Sequence, residues 1–75
     1  MLIQTEVGRA EVVARALVGL PGVLSSEYVT GPYDVIARVG AATLSELTAT
    51  IAPGVQQVTG ITRTLTCPVA GGVQT

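Results

Sequence analysis

This chain contains no histidine, no lysine, no tryptophan and no phenylalanine, and it has a single cysteine, Cys67. Each absence excludes something. One thiol cannot form an internal disulfide. With no histidine to join it, it cannot complete a tetrahedral zinc site either, so neither a metal nor a cofactor is expected. A catalytic thiol needs an activating base or a cationic neighbourhood, and Cys67 therefore reads as a small buried apolar residue. Positive side-chain charge is limited to Arg9, Arg15, Arg38 and Arg63, scattered along the chain against five acids, for a net charge of −1. Nucleic-acid affinity comes largely from clustered Lys and Arg that neutralise phosphates, so direct contact with DNA or RNA is not expected. Phosphate-cradling and dinucleotide-binding glycine patterns are missing as well.

Long apolar runs are also lacking. The longest uncharged stretch, residues 47–62, is broken by Pro53, Gly54, Gln56 and Gln57. A membrane span needs ~18 apolar residues in a row. The opening Met1-Leu2-Ile3-Gln4-Thr5-Glu6 has neither the basic start nor the apolar core of a signal peptide. A cytoplasmic protein without membrane contact is the expectation.

What the chain does have is apolar surface. Hydrophobic residues make up 48% of it and charged residues 12%, about half the usual charged share of ~25%. Seventy-five residues make one domain. A domain of this size buries only ~60% of the surface its unfolded chain exposes, and it usually needs a disulfide, a metal or self-association to be stable. The first two are excluded here. Self-association remains, with part of the apolar surface covered by another copy.

The periodicity gives an order of elements. Residues 2–7 read as a strand ended by Gly8. Residues 9–20 carry apolar side chains at Val13, Ala16, Leu17 and Leu20, one face of a helix, with Glu11 and Arg15 four apart as an exposed pair. Pro21-Gly22 stops that helix. Residues 23–30 and 33–40 read as two strands joined through Gly31-Pro32, a turn signal. Thr43 and Glu46 match a capping box, followed by Leu44, Leu47 and Ile51 on one helix face. Pro53-Gly54 either ends that helix near Ala52 or kinks it, with Val55 and Val58 continuing the stripe. Residues 61–69 form a last strand, and residues 71–75 a loose tail.

The order β-α-β-β-α-β is the split βαβ, or ferredoxin-like, α+β fold. Right-handed crossovers place both helices on one face of a four-stranded antiparallel sheet. On the third strand Val35, Ala37 and Val39 suit the face under the helices. Asp34, Ile36 and Arg38 lie on the other, which with Tyr28 is part apolar and part charged. Such a face must meet water or a second sheet. Two of them packed together make a dimer with a barrel-like core, in which Arg38 and Arg63 must be paired if buried.

Three segments carry a resemblance. They are the opening Leu2-Ile3-Gln4-Thr5-Glu6-Val7-Gly8, the hairpin Glu27-Tyr28-Val29-Thr30-Gly31-Pro32-Tyr33-Asp34-Val35, and the last strand Gly60-Ile61-Thr62-Arg63-Thr64-Leu65-Thr66-Cys67-Pro68-Val69. In this order they resemble the effector-binding domain of the Lrp/AsnC family of feast/famine regulators, and more closely its stand-alone forms without a helix-turn-helix domain. The resemblance implies dimers formed through the sheets, higher-order assembly such as an octameric ring, and an amino-acid effector held between dimers. A full-length family regulator is an implied partner. Carried over, Gly31 would let the backbone approach the effector and Asp34 would accept its amino group. Tyr28 and Thr30 would line the pocket, and Thr64 and Thr66 would offer hydroxyls from a neighbouring subunit. Ile36, Arg38 and Arg63 would lie at the oligomer interface. Pro53-Gly54 departs from the continuous second helix usual in that family.

Two other readings stay open. One is a purely structural oligomerisation module, in which Gly31 and Asp34 are ordinary turn residues. The other is a small dimeric α+β-barrel enzyme, an analogy of fold alone. Enzymes of that shape recruit His, Trp or Asn, and this chain has none of the three. No enzymatic activity is expected.

Overall fold

The computed structural model describes residues 1–72. The expected tail at 71–75 therefore lies partly outside the described residues. Four strands, β1 (Leu2–Thr5), β2 (Val23–Tyr28), β3 (Val35–Val39) and β4 (Ile61–Leu65), form one sheet in the order β2-β3-β1-β4. All neighbours are antiparallel. Helix α1 (Ala10–Leu17) connects β1 to β2. A second helical stretch connects β3 to β4 and has three parts. These are α2 (Leu44–Glu46), a π-helical turn (Leu47–Ile51) and α3 (Ala52–Gln56). This is the ferredoxin-like arrangement expected from the sequence.

The core lies between the helices and one sheet face. Ile3, Val35 and Ala37 from the sheet are buried against Val13, Ala14 and Leu17 of α1 and Val55 of α3. The strand alternation places Val35 and Ala37 inward and Ile36 and Arg38 outward, as their spacing requires. The α1 face differs by one position, because Ala14 is buried and Ala16 is exposed. Glu11 and Arg15 pair on the outer side at 2.9 Å.

The second helical stretch shows how Pro53 is accommodated. Proline supplies no N–H to the helix ladder. The chain widens before it, and the Ala52 N–H bonds to the Leu47 carbonyl five residues back. This π turn lets the helix continue through Pro53-Gly54 without ending. The wider turn also changes the phase of the apolar stripe. Ile51, Ala52 and Val55 are buried, while Leu44, which the simple periodicity placed on the same face, is 62% exposed. At the start of the stretch the Thr43 hydroxyl accepts the Glu46 N–H at 3.0 Å. Glu46 reaches back to the Ala42 N–H at 3.4 Å, one residue beyond the usual capping-box partner. Thr43→Ala should cost about 1 kcal/mol. Thermal melting should register it as a fall of several degrees in a domain this small.

The strands are shorter than the apolar runs suggested. β2 stops at Tyr28 and β3 begins at Val35, so the hairpin loop is longer than Gly31-Pro32 alone. Two irregularities set the faces. One lies in β2 between Val23 and Ser25, where Leu24 is the extra residue, and the other in β4, where Arg63 and Ile61 face the consecutive Gln4 and Thr5 and leave Thr62 unpaired. The first shifts the alternation of β2, so that Tyr28 pairs with Val35 in the row on the helix side. Tyr28 therefore does not share the open face with Ile36 and Arg38, as the uninterrupted alternation implied.

That open face has a definite pattern. Pairing across the sheet aligns Glu27, Ile36, Leu2 and Leu65 in one row. Arg38, paired with Ser25, lies to one side of the row and Arg63, paired with Gln4, to the other. Ile36 and Leu65 are 40% and 41% exposed. Among the described residues the one ion pair is Glu11–Arg15, and neither Arg38 nor Arg63 has a carboxylate partner there.

Candidate functional site

The β2–β3 loop is held to the sheet by four hydrogen bonds. The Val29 N–H donates to the Asp34 carbonyl at 2.8 Å, closing the loop on itself. The Asp34 N–H donates to the Ile3 carbonyl at 2.9 Å. Asp34 Oδ2 accepts the Thr5 N–H at 2.8 Å, and Gln4 Nε2 donates to the Pro32 carbonyl at 3.1 Å. The last three tie the loop to β1 rather than to its own hairpin. A loop held this way presents its tip with little freedom, which suits a binding position.

Within that frame Thr30 and Gly31 are exposed at the tip and Tyr28 is 58% exposed at its base. Gly31 has φ +138 and open space where a Cβ would stand. Only glycine adopts this backbone conformation readily, and it leaves the peptide edges bare to an approaching group. Asp34 is half-buried, with Oδ2 engaged by Thr5. Its other oxygen, Oδ1, accepts no hydrogen bond among the described residues.

The two threonines stand elsewhere. Thr64 pairs with Ile3 and its hydroxyl accepts from Gln56 Nε2 at 3.2 Å, on the helix side of β4. Thr66 follows the end of β4 beside Leu2, whereas the hairpin lies at the Thr5 end of β1. One chain therefore brings Tyr28, Thr30, Gly31 and Asp34 to one end of the sheet and leaves Thr66 at the other. Thr66 is thus not brought to Asp34 within one chain. Gln4 and Thr5 were not singled out from the sequence. Their role depends on pairing between residues about thirty apart, and no local pattern signals it.

Thr66 instead lines a groove of about 540 Å³ at the far end of the sheet. Its walls come from the ends of β1 and β3, the start of the second helical stretch, and the segment from Thr66 to Val69. Cys67 lies in that segment and is exposed, which corrects its reading as a buried residue. The Met1 ammonium donates to the Ala37 carbonyl at 2.6 Å nearby. Burial pulls its pKa below the ordinary value, and a weaker electrostatic interaction with Cys67 opposes that shift. No cluster of metal-ligating side chains is present among the described residues.

A family model described as the Lrp/AsnC ligand binding domain matches residues 1–73. The chain belongs to the Lrp/AsnC ligand-binding domain family. Solved structures agree. The protein TTHA0845 from Thermus thermophilus is 32% identical with a TM-score of 0.73, over 83% of this chain and 78% of that one. A hypothetical protein from Pyrococcus horikoshii is 29% identical with the same TM-score, over 83% of this chain and 75% of that one. A structure described as FFRP-DM1 is also 29% identical at TM-score 0.73, over 83% of both chains. Comparison with curated proteins gives no match. The Lrp/AsnC assignment covers the hairpin, the open sheet face and β4 alike.

Proposed function

We propose that this Lrp/AsnC domain binds an amino acid at the β2–β3 hairpin and works as a self-assembling sensor without catalysing a reaction. The observation that carries the reading is Asp34. Its carboxylate is fixed by Thr5 through one oxygen while the other accepts no hydrogen bond among the described residues, beside a glycine tip with open space around it. A carboxylate placed so is suited to an ammonium, and the Gly31 backbone to the rest of a small zwitterion. Tyr28 and Thr30 flank this position, and Thr66, just past the end of β4, completes it from a neighbouring copy with Thr64 of that strand. Assembly proceeds through the open face, where the Ile36-Leu2-Leu65 row packs on its counterpart and Arg38 and Arg63 find partners such as Glu27 of the other sheet. Dimers then combine into a larger ring, and effector binding shifts the balance among these states. With no lysine and four scattered arginines the domain makes no DNA contact itself. Regulation then passes through a full-length family regulator in mixed assemblies, in the cytoplasm. No helix among the described residues is long and apolar enough to cross a membrane.

The bond from Thr5 to Asp34 also favours a second reading, in which Asp34 serves only to tie the loop to β1. The two separate on Asp34→Asn, which keeps an oxygen for Thr5 and removes the charge. Asp34→Ala would confuse them, because it also leaves a part-buried N–H unpaired at a cost of about 1–3 kcal/mol. A ligand at ~100 times its Kd stabilises the folded state by about 2.7 kcal/mol. Thermal melting against the twenty amino acids should show a rise of roughly 10–20 °C for one or a few of them. In Asp34→Asn that rise should vanish while assembly persists. A panel with no rise in the native protein would leave the structural module.

A further inference from the structure

We propose that Gln4 is the positioning residue that couples the hairpin loop to assembly. A second copy laid on the open face fixes the loop tip through Gln4, and a group that fixes the tip favours the assembled state. The inference rests on the assembly surface and the hairpin site proposed above. Gln4 stands on the open face, because its cross-strand partner is Arg63 and it follows Leu2 by two residues along β1. From there its Nε2 donates to the Pro32 carbonyl at 3.1 Å. One side chain thus touches both the surface that a second sheet covers and the loop that holds the effector.

The tip depends on this contact. Asp34 is tied to β1 through its own N–H and its carboxylate. Val29 is held across the loop by the bond from its N–H to the Asp34 carbonyl. Between these anchors, among the described residues, the Gln4 amide makes the only hydrogen bond to residues 30–33. Pro32 has no N–H to offer, and Gly31 beside it, at φ +138 with open space around it, resists motion least. Burial decides how firmly the tip is held. In the single chain the Gln4 bond is exposed. Water competes for both of its groups, so its net effect is small. Under a second sheet the amide is taken out of water, where an unpaired amide is costly. Leaving Pro32 then becomes much less favourable. Coupling between equilibria is reciprocal. A ligand that immobilises Gly31 and Pro32 keeps the Gln4 amide paired and strengthens assembly by the same factor.

The test reads the loop and needs no effector, so its outcome is separate from whether the hairpin binds an amino acid. Hydrogen–deuterium exchange is followed at the Val29 N–H, which is freed when the loop opens, in the assembled native protein and in the unassembled chain. Ile36→Asp supplies the unassembled chain, or dilution of the native protein does where that variant does not fold alone. Assembly should slow exchange at Val29 about tenfold or more. Gln4→Met keeps the length of the side chain and removes the amide. It should keep the native mass in sedimentation, yet the slowing on assembly should shrink to less than about threefold. A contact that merely braces the loop would change exchange equally in both states. The Gly40 N–H, bonded to the Gly22 carbonyl at the other end of the sheet, is the control and should not respond to Gln4→Met. Equal slowing in the native and Gln4→Met proteins overturns the proposal, as does a Val29 amide indifferent to assembly. A Gln4→Met chain that no longer assembles would make Gln4 a contact between copies instead of a tie to the loop, and overturns it too. An Ile36→Asp chain that keeps the native mass would remove the open-face assembly itself, and the coupling with it.

Discussion

Gly22→Ala should lower the melting temperature about twice as far as Gly8→Ala, although both replace a glycine in a left-handed conformation. Gly8 has φ +78 and nothing within 4 Å of the position a Cβ would take. Its substitution meets only backbone strain, about 1–2 kcal/mol. Gly22 has φ +85 and carries the same strain, but a Cβ there would stand 2.7 Å from Ile51 Cδ1 and 3.3 Å from the Gly40 carbonyl oxygen. Ile51 is buried in the π turn, and the Gly40 N–H is bonded to the Gly22 carbonyl at 2.8 Å, so neither neighbour withdraws freely. Overpacking of this kind adds about 1–3 kcal/mol. The total of roughly 2–5 kcal/mol is a large part of the stability of so small a domain. At ~4–8 °C per kcal/mol, differential scanning calorimetry resolves the two variants easily. Equal shifts would mean that Ile51 repacks at no cost and that the turn after α1 is not braced by the second helical stretch.

That brace was only half visible in the sequence. Pro21-Gly22 announces a helix stop, because proline and glycine disfavour helix for reasons local to their own backbones. Nothing local says that Ile51, some thirty residues away, will fill the space beside Gly22. The same division runs through the rest of the fold. The order of elements, the inward face of β3, the Thr43 cap and the Glu11–Arg15 pair all follow from spacings of two to four residues, and all are present. The irregularities in β2 and β4 and the π turn were not legible. An inserted residue such as Leu24 looks like any other strand residue, and its effect is seen only against the paired strand. It moved Tyr28 from the open face to the helix side. In the candidate site, Gly31 and Asp34 carry a signal because turns favour these residues. The partners that fix them, Gln4 and Thr5, carry none. Cys67 was misplaced because small apolar residues are usually buried, whereas this one lies past the end of β4, where no helix covers the chain.

Ile36→Asp should dissociate the assembly while sparing the fold of the individual chain. Ile36 is at the centre of the open face, between Glu27 and Leu2 in the cross-sheet row, with its side chain directed away from the core. It is 40% exposed in the single chain, so an aspartate there meets water as long as the chain is alone. In a sheet-on-sheet dimer the same carboxylate is taken out of water, and two-fold symmetry brings in two of them. An uncompensated buried charge costs about 3–5 kcal/mol. Even if Arg38 relieves part of this, a net loss of about 5 kcal/mol for the pair would weaken the dimer by more than 1,000-fold. Sedimentation equilibrium should then give a monomer at micromolar concentration, with far-ultraviolet circular dichroism like that of the native protein. Val12→Asp is the matched control, since Val12 is 52% exposed on the outer side of α1. It should change neither mass nor spectrum. If the Ile36→Asp chain cannot hold its fold alone, its melting temperature should fall well below that of Val12→Asp. The native protein's melting temperature should then rise with concentration, as linkage between folding and association requires. A folded Ile36→Asp chain that keeps its native mass would place the contact between copies on another surface, and Arg38 and Arg63 would then be solvated charges on a face open to water.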